Sequence, residues 1–201
     1  MSDVTAVLAT VELAPGMDAG HLDELRVLFS WLPLEYLDCL QWSDGLEGHV
    51  GGGGYLRLWS ARSALHFNSA YNVPEFLPSV FLFGTDAAAL GYGFDRRNPG
   101  RVLSVELAAL DDEYLTDVAA SFNEFVLGLT KLGASDEPLD DHHPPAWLRG
   151  HVLHEKHPVV LGGRADDPAN RVLVPEADHP ALAVFFARTL RAVRSRTMAG
   201  Q

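Results

Sequence analysis

Apolar and polar positions alternate between two rhythms along this chain, and the switches between them mark its elements. The alternation from Val4 to Leu13 predicts an opening strand. Asp18 is placed to cap a helix running to Phe29, with Leu22, Leu25 and Phe29 on one face. Pro33 opens a second helix, with Tyr36, Leu37 and Leu40 as its inner stripe. The run Gly51–Gly54 then reads as a flexible hairpin or loop tip. Tyr55 to Trp59 reads as a strand, and Ser60 caps a short helix that stops near Asn72, before Pro74.

Three strands follow, Val80 to Phe83, Tyr92 to Phe94 and Val102 to Leu107. Their turn residues suit antiparallel connections. From Asp112 the positions Leu115, Val118, Ala119, Phe122, Phe125, Val126 and Leu129 keep a helical rhythm, which predicts one long helix ended by Gly133. Asp111, Asp112 and Glu113 would sit at its N-terminus, where the helix dipole favours anions. Residues 134–147 are acidic and proline-containing and read as a linker or surface loop. Beyond them, Pro158 to Leu161 and Val172 to Val174 read as short strands. Asp178 caps a final helix whose apolar face is Leu182, Phe185, Phe186, Leu190 and Val193.

These elements place the chain in the α+β or α/β class. Residues 1–133 form the main domain, and residues 148–201 form a strand-helix extension with too little apolar surface to fold alone, so it packs on the main domain. Cys39, the single cysteine, excludes an internal disulfide framework and sits in an apolar helical pattern as a core residue. No signal peptide and no apolar run of bilayer-spanning length is visible, so the expected location is the cytoplasm, with no membrane partner.

Charge changes the picture more. Residues 1–145 carry 22 Asp/Glu against 7 Lys/Arg, a net −15, whereas residues 146–201 carry 5 against 8. Such an acidic body argues against nucleic-acid binding and favours a basic partner, although acidic surfaces also serve solubility. The densest acidic stretch runs from Glu106 to Asp117 with no Lys or Arg between. It is either a solvated helix start or a ridge for a basic partner.

Catalytic signatures are weak. The histidines His142, His143, His151, His154, His157 and His179 invite a metal hypothesis, but no cysteine pair or His-Glu-x-x-His helix accompanies them, and they read as exposed or capping groups. There is no Gly-x-Ser-x-Gly elbow, and Ser121 falls within the predicted long helix. Asp44, Glu47, Asp86 and Asp95 could pair for acid–base work, yet turn chemistry accounts for Asp44 and Asp86. The expectation is therefore no enzyme, no cofactor and no metal.

A series of short signatures stands in one order: Leu32-Pro33-x-x-Tyr36, Asp44-Gly45-x-Glu47-Gly48, Tyr55-Leu56-x-Leu58-Trp59, Asn68-x-x-Tyr71, Phe83-Gly84-x-Asp86, Tyr92-x-Phe94-Asp95 and Ser121-Phe122-x-Glu124-Phe125. Together, over about residues 30–130, they resemble the SUKH superfamily, which includes bacterial toxin-immunity proteins and homologs of the yeast Smi/Knr cell-wall regulator. One departure is Asp86-Ala87-Ala88-Ala89, where the family usually carries a glycine pair after the acidic residue. The resemblance implies a central, mostly antiparallel sheet with flanking helices. It also implies a non-enzymatic protein that binds and neutralises a cognate toxin, often one acting on nucleic acid, by occluding its active site. The alternatives are a regulatory protein-interaction module of the same superfamily and, further off, a hydrolase or metal enzyme. Candidate partner-binding residues are Asp44, Glu47, Asp86, Asp95, Asp111, Asp112 and Glu113. Trp59 and Tyr71 are either aromatic anchors or core.

Overall fold

A computed structural model describes residues 2–132, 151–155 and 168–199. The N-terminal segment folds as helix α1 (Ser2–Leu8), followed by a two-residue strand β1 (Glu12–Leu13). The expected opening strand is thereby corrected. Val4 and Leu8 are buried four residues apart while Asp3 and Ala6 are exposed, which is a helical and not an alternating rhythm. Helix α2 (Ala19–Leu28) starts where expected. The Asp18 carboxylate accepts from the backbone N–H groups of Gly20 and His21. Helix α3 (Leu34–Trp42) follows Pro33 and buries Tyr36, Leu37, Cys39 and Leu40.

Seven strands form one antiparallel sheet in sequence order. After β1 come β2 (Leu46–His49) and β3 (Tyr55–Leu58). Helices α4 (Ala61–Ala70) and α5 (Val73–Phe76) intervene before β4 (Val80–Thr85), β5 (Leu90–Asp95), β6 (Val102–Glu106) and β7 (Thr116–Ala119). Sheet and helices together make the expected α+β fold. The glycine run does not form a free tip. Gly54 donates its N–H to the Leu129 carbonyl at 2.7 Å, and a Cβ on Gly53 would stand 2.1 Å from that same oxygen. The run is glycine because backbone must approach backbone there.

Strand β4 carries a bulge at Phe83, between the pairs Leu82↔Gly93 and Gly84↔Tyr92. The Phe83 carbonyl accepts from Trp59 N–H at 3.0 Å. Beyond the end of β3, Asn68 of α4 takes over as the neighbour of β4 and bonds both polar groups of Leu82. The largest aromatic cluster packs around the fully buried Tyr36, whose ring centroid lies 5.3–6.4 Å from those of Phe81, Phe83, Phe94 and Phe122. Burial also pushes the Cys39 thiol up to about 12, which makes it an unreactive core group.

The stretch from Asp112 to Leu129 is not one helix. A single 3₁₀ turn (Asp112–Tyr114) leads into the edge strand β7, and helix α6 (Phe122–Leu129) begins only after Ser121. Ser121 Oγ accepts from Glu124 N–H, and the Glu124 carboxylate accepts from Ala120 N–H, so Ser121 is a cap and not a mid-helix residue. Asp111 caps the 3₁₀ turn alone, with its side chain accepting from Glu113 N–H.

The C-terminal part contributes a hairpin, β8 (His151–Glu155) with β9 (Arg171–Pro175), and helix α7 (His179–Ala199). The segments 134–147 and Pro158–Leu161, read above as loop and strand, lie outside the described residues. Helix α7 buries His179, Ala183, Ala187 and Leu190, while Leu182 and Phe185 are exposed. Its inner face is therefore rotated from the expected one. Small alanines admit close packing, and Ala183 and Ala187 join the main core.

Candidate functional site

The nine residues singled out from sequence fall into two groups. Asp95, Asp111, Asp112 and Glu113 gather near the β7 edge of the sheet. Arg97 ties Asp95 to Asp112, with Nε 2.7 Å from Asp95 Oδ2 and Nη2 2.7 Å from Asp112 Oδ1. Burial works against a charged Asp95 but is outweighed by the Arg97 contacts, which hold its carboxyl below the usual range. Hydrogen bonding from Arg97 lowers Asp112 likewise. Asp117 pairs with Arg101 at 3.1 Å. Asp112, Glu113 and Asp117 are exposed.

This edge is also open. Strand β7 ends the sheet, and no strand among the described residues pairs with its outer side. Beside it an apolar groove of about 340 Å³ runs between the sheet and α6, lined by Leu90, Tyr92, Val118, Phe125, Leu129 and Leu132, with Ser104, Gly128 and Glu124 completing the wall. Val118 and Leu132 are exposed. An unpaired strand edge, an apolar trough and a row of carboxylates together suit a basic protein segment with an apolar anchor.

Asp44, Glu47, Asp86, Trp59 and Tyr71 lie elsewhere and hold structure. Asp44 Oδ1 accepts from Ala61 N–H at 2.7 Å and so caps α4 from a distance. Asp86 Oδ1 accepts from the N–H groups of Ala88 and Leu90, closing the β4–β5 turn even though Ala87 must adopt φ 58°. Burial raises the Asp86 carboxyl above its ordinary value.

Glu47, Trp59 and Tyr71 belong to a polar network that sequence reading did not find. It joins the sheet to the C-terminal part. Arg57 is 5 % exposed and sits between two carboxylates, 2.6 Å from Glu47 and 3.3 Å from Glu176. Tyr55 also hydrogen-bonds Glu47. Trp59 Nε1 donates to Glu176 Oε1 at 3.0 Å, and Arg57 Nη1 donates to the His151 carbonyl at 3.2 Å. Alongside, the Tyr71 hydroxyl lies 2.6 Å from His179 Nδ1, and His179 Nε2 lies 3.1 Å from His154 Nδ1.

Tyr71 is fully buried and His179 is the one hydrogen-bond partner of its hydroxyl among the described residues, so its proton goes to His179 Nδ1. The neutral His179 then carries its proton on Nε2 and donates to His154. Burial, reinforced by the neighbouring His154, lowers His179 to about 3, and burial lowers His154 too. These two histidines are buried partners, not the exposed or capping groups expected. His142, His143 and His157 lie outside the described residues. Among the described residues no three metal-binding side chains converge.

No protein-family model matches this chain, and a comparison with curated proteins finds no match. Among the described residues no helix is long and apolar enough to cross a membrane.

Proposed function

We propose that this chain is an immunity protein of the SUKH type, which binds a cognate toxin and neutralises it by occluding its active site. One observation carries the reading: exposed carboxylates line an unpaired strand edge next to an apolar groove, on a body of net charge −15. Toxins that act on nucleic acid present basic clefts for phosphate. An acidic ridge meets such a cleft with matched charge, and long-range attraction speeds the encounter. The groove supplies the apolar contact that holds the pair after encounter. The ordered signatures from Leu32 to Phe125 support the same reading. The inhibitor acts by stoichiometric occlusion and performs no chemistry of its own, and its place of action is the cytoplasm of the producing cell.

Co-expression with toxins encoded beside this gene tests the proposal. A cell carrying both should survive the toxin, and the two proteins should co-purify as a stoichiometric complex. If no neighbouring toxin binds, and none is better tolerated in its presence, the reading fails.

A further inference from the structure

We propose that Tyr71, His179 and His154 form a proton-operated latch that fastens the C-terminal hairpin and α7 over Trp59 and Tyr71, and that acidification releases it. The latch lies at a junction with both apolar and polar contacts. From α7, Ala183 and Ala187 join the main core, Val184 packs partly against it, and Leu190 is buried. Polar contacts add to this attachment. They include the Tyr71–His179–His154 chain, Trp59 and Arg57 to Glu176, Arg57 to the His151 carbonyl, Arg191 Nη2 to the Phe76 carbonyl at 3.0 Å, and Arg188 to Glu75.

The closed junction favours neutral rings, because both imidazoles and Tyr71 are buried. A proton on either ring turns the bonds around, so that His179 Nδ1–H points at the Tyr71 oxygen and the tyrosine proton loses its acceptor. It also leaves a buried positive charge with no counter-charge hydrogen-bonded to it among the described residues. The charged and titratable groups around them offer no rescue. Tyr71 faces His179 from the end of α4, His154 faces it from β8, and the Phe186 ring covers His154 at 5.4 Å. Glu176, just after β9, gives its Oε1 to Trp59 and Arg57, while Glu47 on β2 holds Arg57 from the other side. Among the described residues no carboxylate hydrogen-bonds either imidazole. Both rings accordingly stay neutral when closed and regain their ordinary value of 6.5 when released. Closure is favoured fully above that value and weakens as pH falls below it.

Hydrogen exchange of the full chain, corrected for intrinsic rate, tests this at about pH 7.5 and about pH 5.5. Each histidine freed in the open state should raise α7 opening about 10-fold over that interval, and β4–β6 should keep its protection. The His154→Asn/His179→Asn double variant should lose the response. Equal α7 protection at both pH values overturns the latch. So does joint opening of α7 with β4–β6, or a response that survives in the double variant. If the double variant does not fold, Tyr71→Phe decides: it should speed α7 exchange at about pH 7.5 and leave β4–β6 unchanged, and no acceleration overturns the proposal.

Discussion

Asn68 grips the peptide groups of Leu82 like a missing strand. Its Oδ1 accepts from Leu82 N–H at 2.9 Å, and its Nδ2 donates to the Leu82 carbonyl at 2.6 Å. Both groups are buried beyond the end of β3, and no other strand among the described residues pairs with them on that side. Asn68→Ala leaves a donor and an acceptor unsatisfied and should cost about 2–4 kcal/mol. Asn68→Asp keeps the acceptor but turns the donor into a buried oxygen facing a carbonyl, so it should be no milder. Urea denaturation followed by far-UV circular dichroism reads both as a lower midpoint at unchanged slope.

Tyr36 presents the opposite situation. Its hydroxyl is fully buried among aromatic rings and has no hydrogen-bond partner among the described residues. Burial without a partner costs about 1–3 kcal/mol. Tyr36→Phe keeps the ring packing and removes that cost, so it should stabilise the fold by about 1 kcal/mol. A lower denaturation midpoint in this variant would show that the hydroxyl is satisfied in solution.

Arg57 is held between Glu47 and Glu176, and its removal strands both acids. Arg57→Met should destabilise by about 3 kcal/mol, because breaking a buried pair leaves an uncompensated charge. Adding Glu47→Gln should restore part of that loss, since it removes one of the stranded charges. A thermodynamic cycle over the four proteins measures the coupling. Purely additive effects would mean that Arg57 and Glu47 do not act together.

Asp86 gives a pH signature. Burial raises its folded-state carboxyl above the ordinary 3.8. Such a group favours the fold fully below its unfolded value, and this contribution is lost as pH rises through the folded value. Asp86→Asn keeps the Oδ1 acceptor for Ala88 and Leu90 and abolishes the titration. Relative to wild type, the variant should gain stability as pH climbs from about 4 toward 7. Thermal melts across that range should show the two curves diverging in this direction, and parallel curves would refute it.

The body of the fold was legible because its signals are local. Asp18 and Ser60 cap where their side chains can reach the next turn, and β4 to β6 are short apolar runs separated by local turns, one closed by Asp86 and one holding Asn98-Pro99-Gly100. The misread stretch from Asp112 onward carries helical spacing by coincidence. Val118 and Ala119 belong to an edge strand, and the true start signal was Ser121 with Glu124 three residues on. The polar network was not legible at all. Tyr71 and His179 stand 108 residues apart, and Trp59 and Glu176 stand 117 apart, so no local pattern links them. Glu47, Trp59, Tyr71, His154 and His179 stand out in the sequence only as unrelated residues, and Arg57 and Glu176 do not stand out at all. Trp59 and Tyr71, which the sequence leaves open between anchor and core, are both buried.

The β7 edge carries the prediction that bears most directly on function. Asp112, Glu113 and Asp117 are exposed, and the ion pairs of Asp112 and Asp117 with Arg97 and Arg101 face solvent. Exposed pairs contribute little to folding, so Asp112→Asn/Glu113→Gln/Asp117→Asn should change stability by no more than about 1 kcal/mol. Association with a basic toxin should suffer far more. Losing three charges at the encounter surface should slow binding about 10-fold at low salt and flatten its ionic-strength dependence. Dissociation should change less, because the groove beside Val118 and Phe125 is untouched. Stopped-flow kinetics against the toxin encoded next door, at two salt concentrations, separates these rates. An unchanged association rate with unchanged salt dependence would place the binding face away from β7.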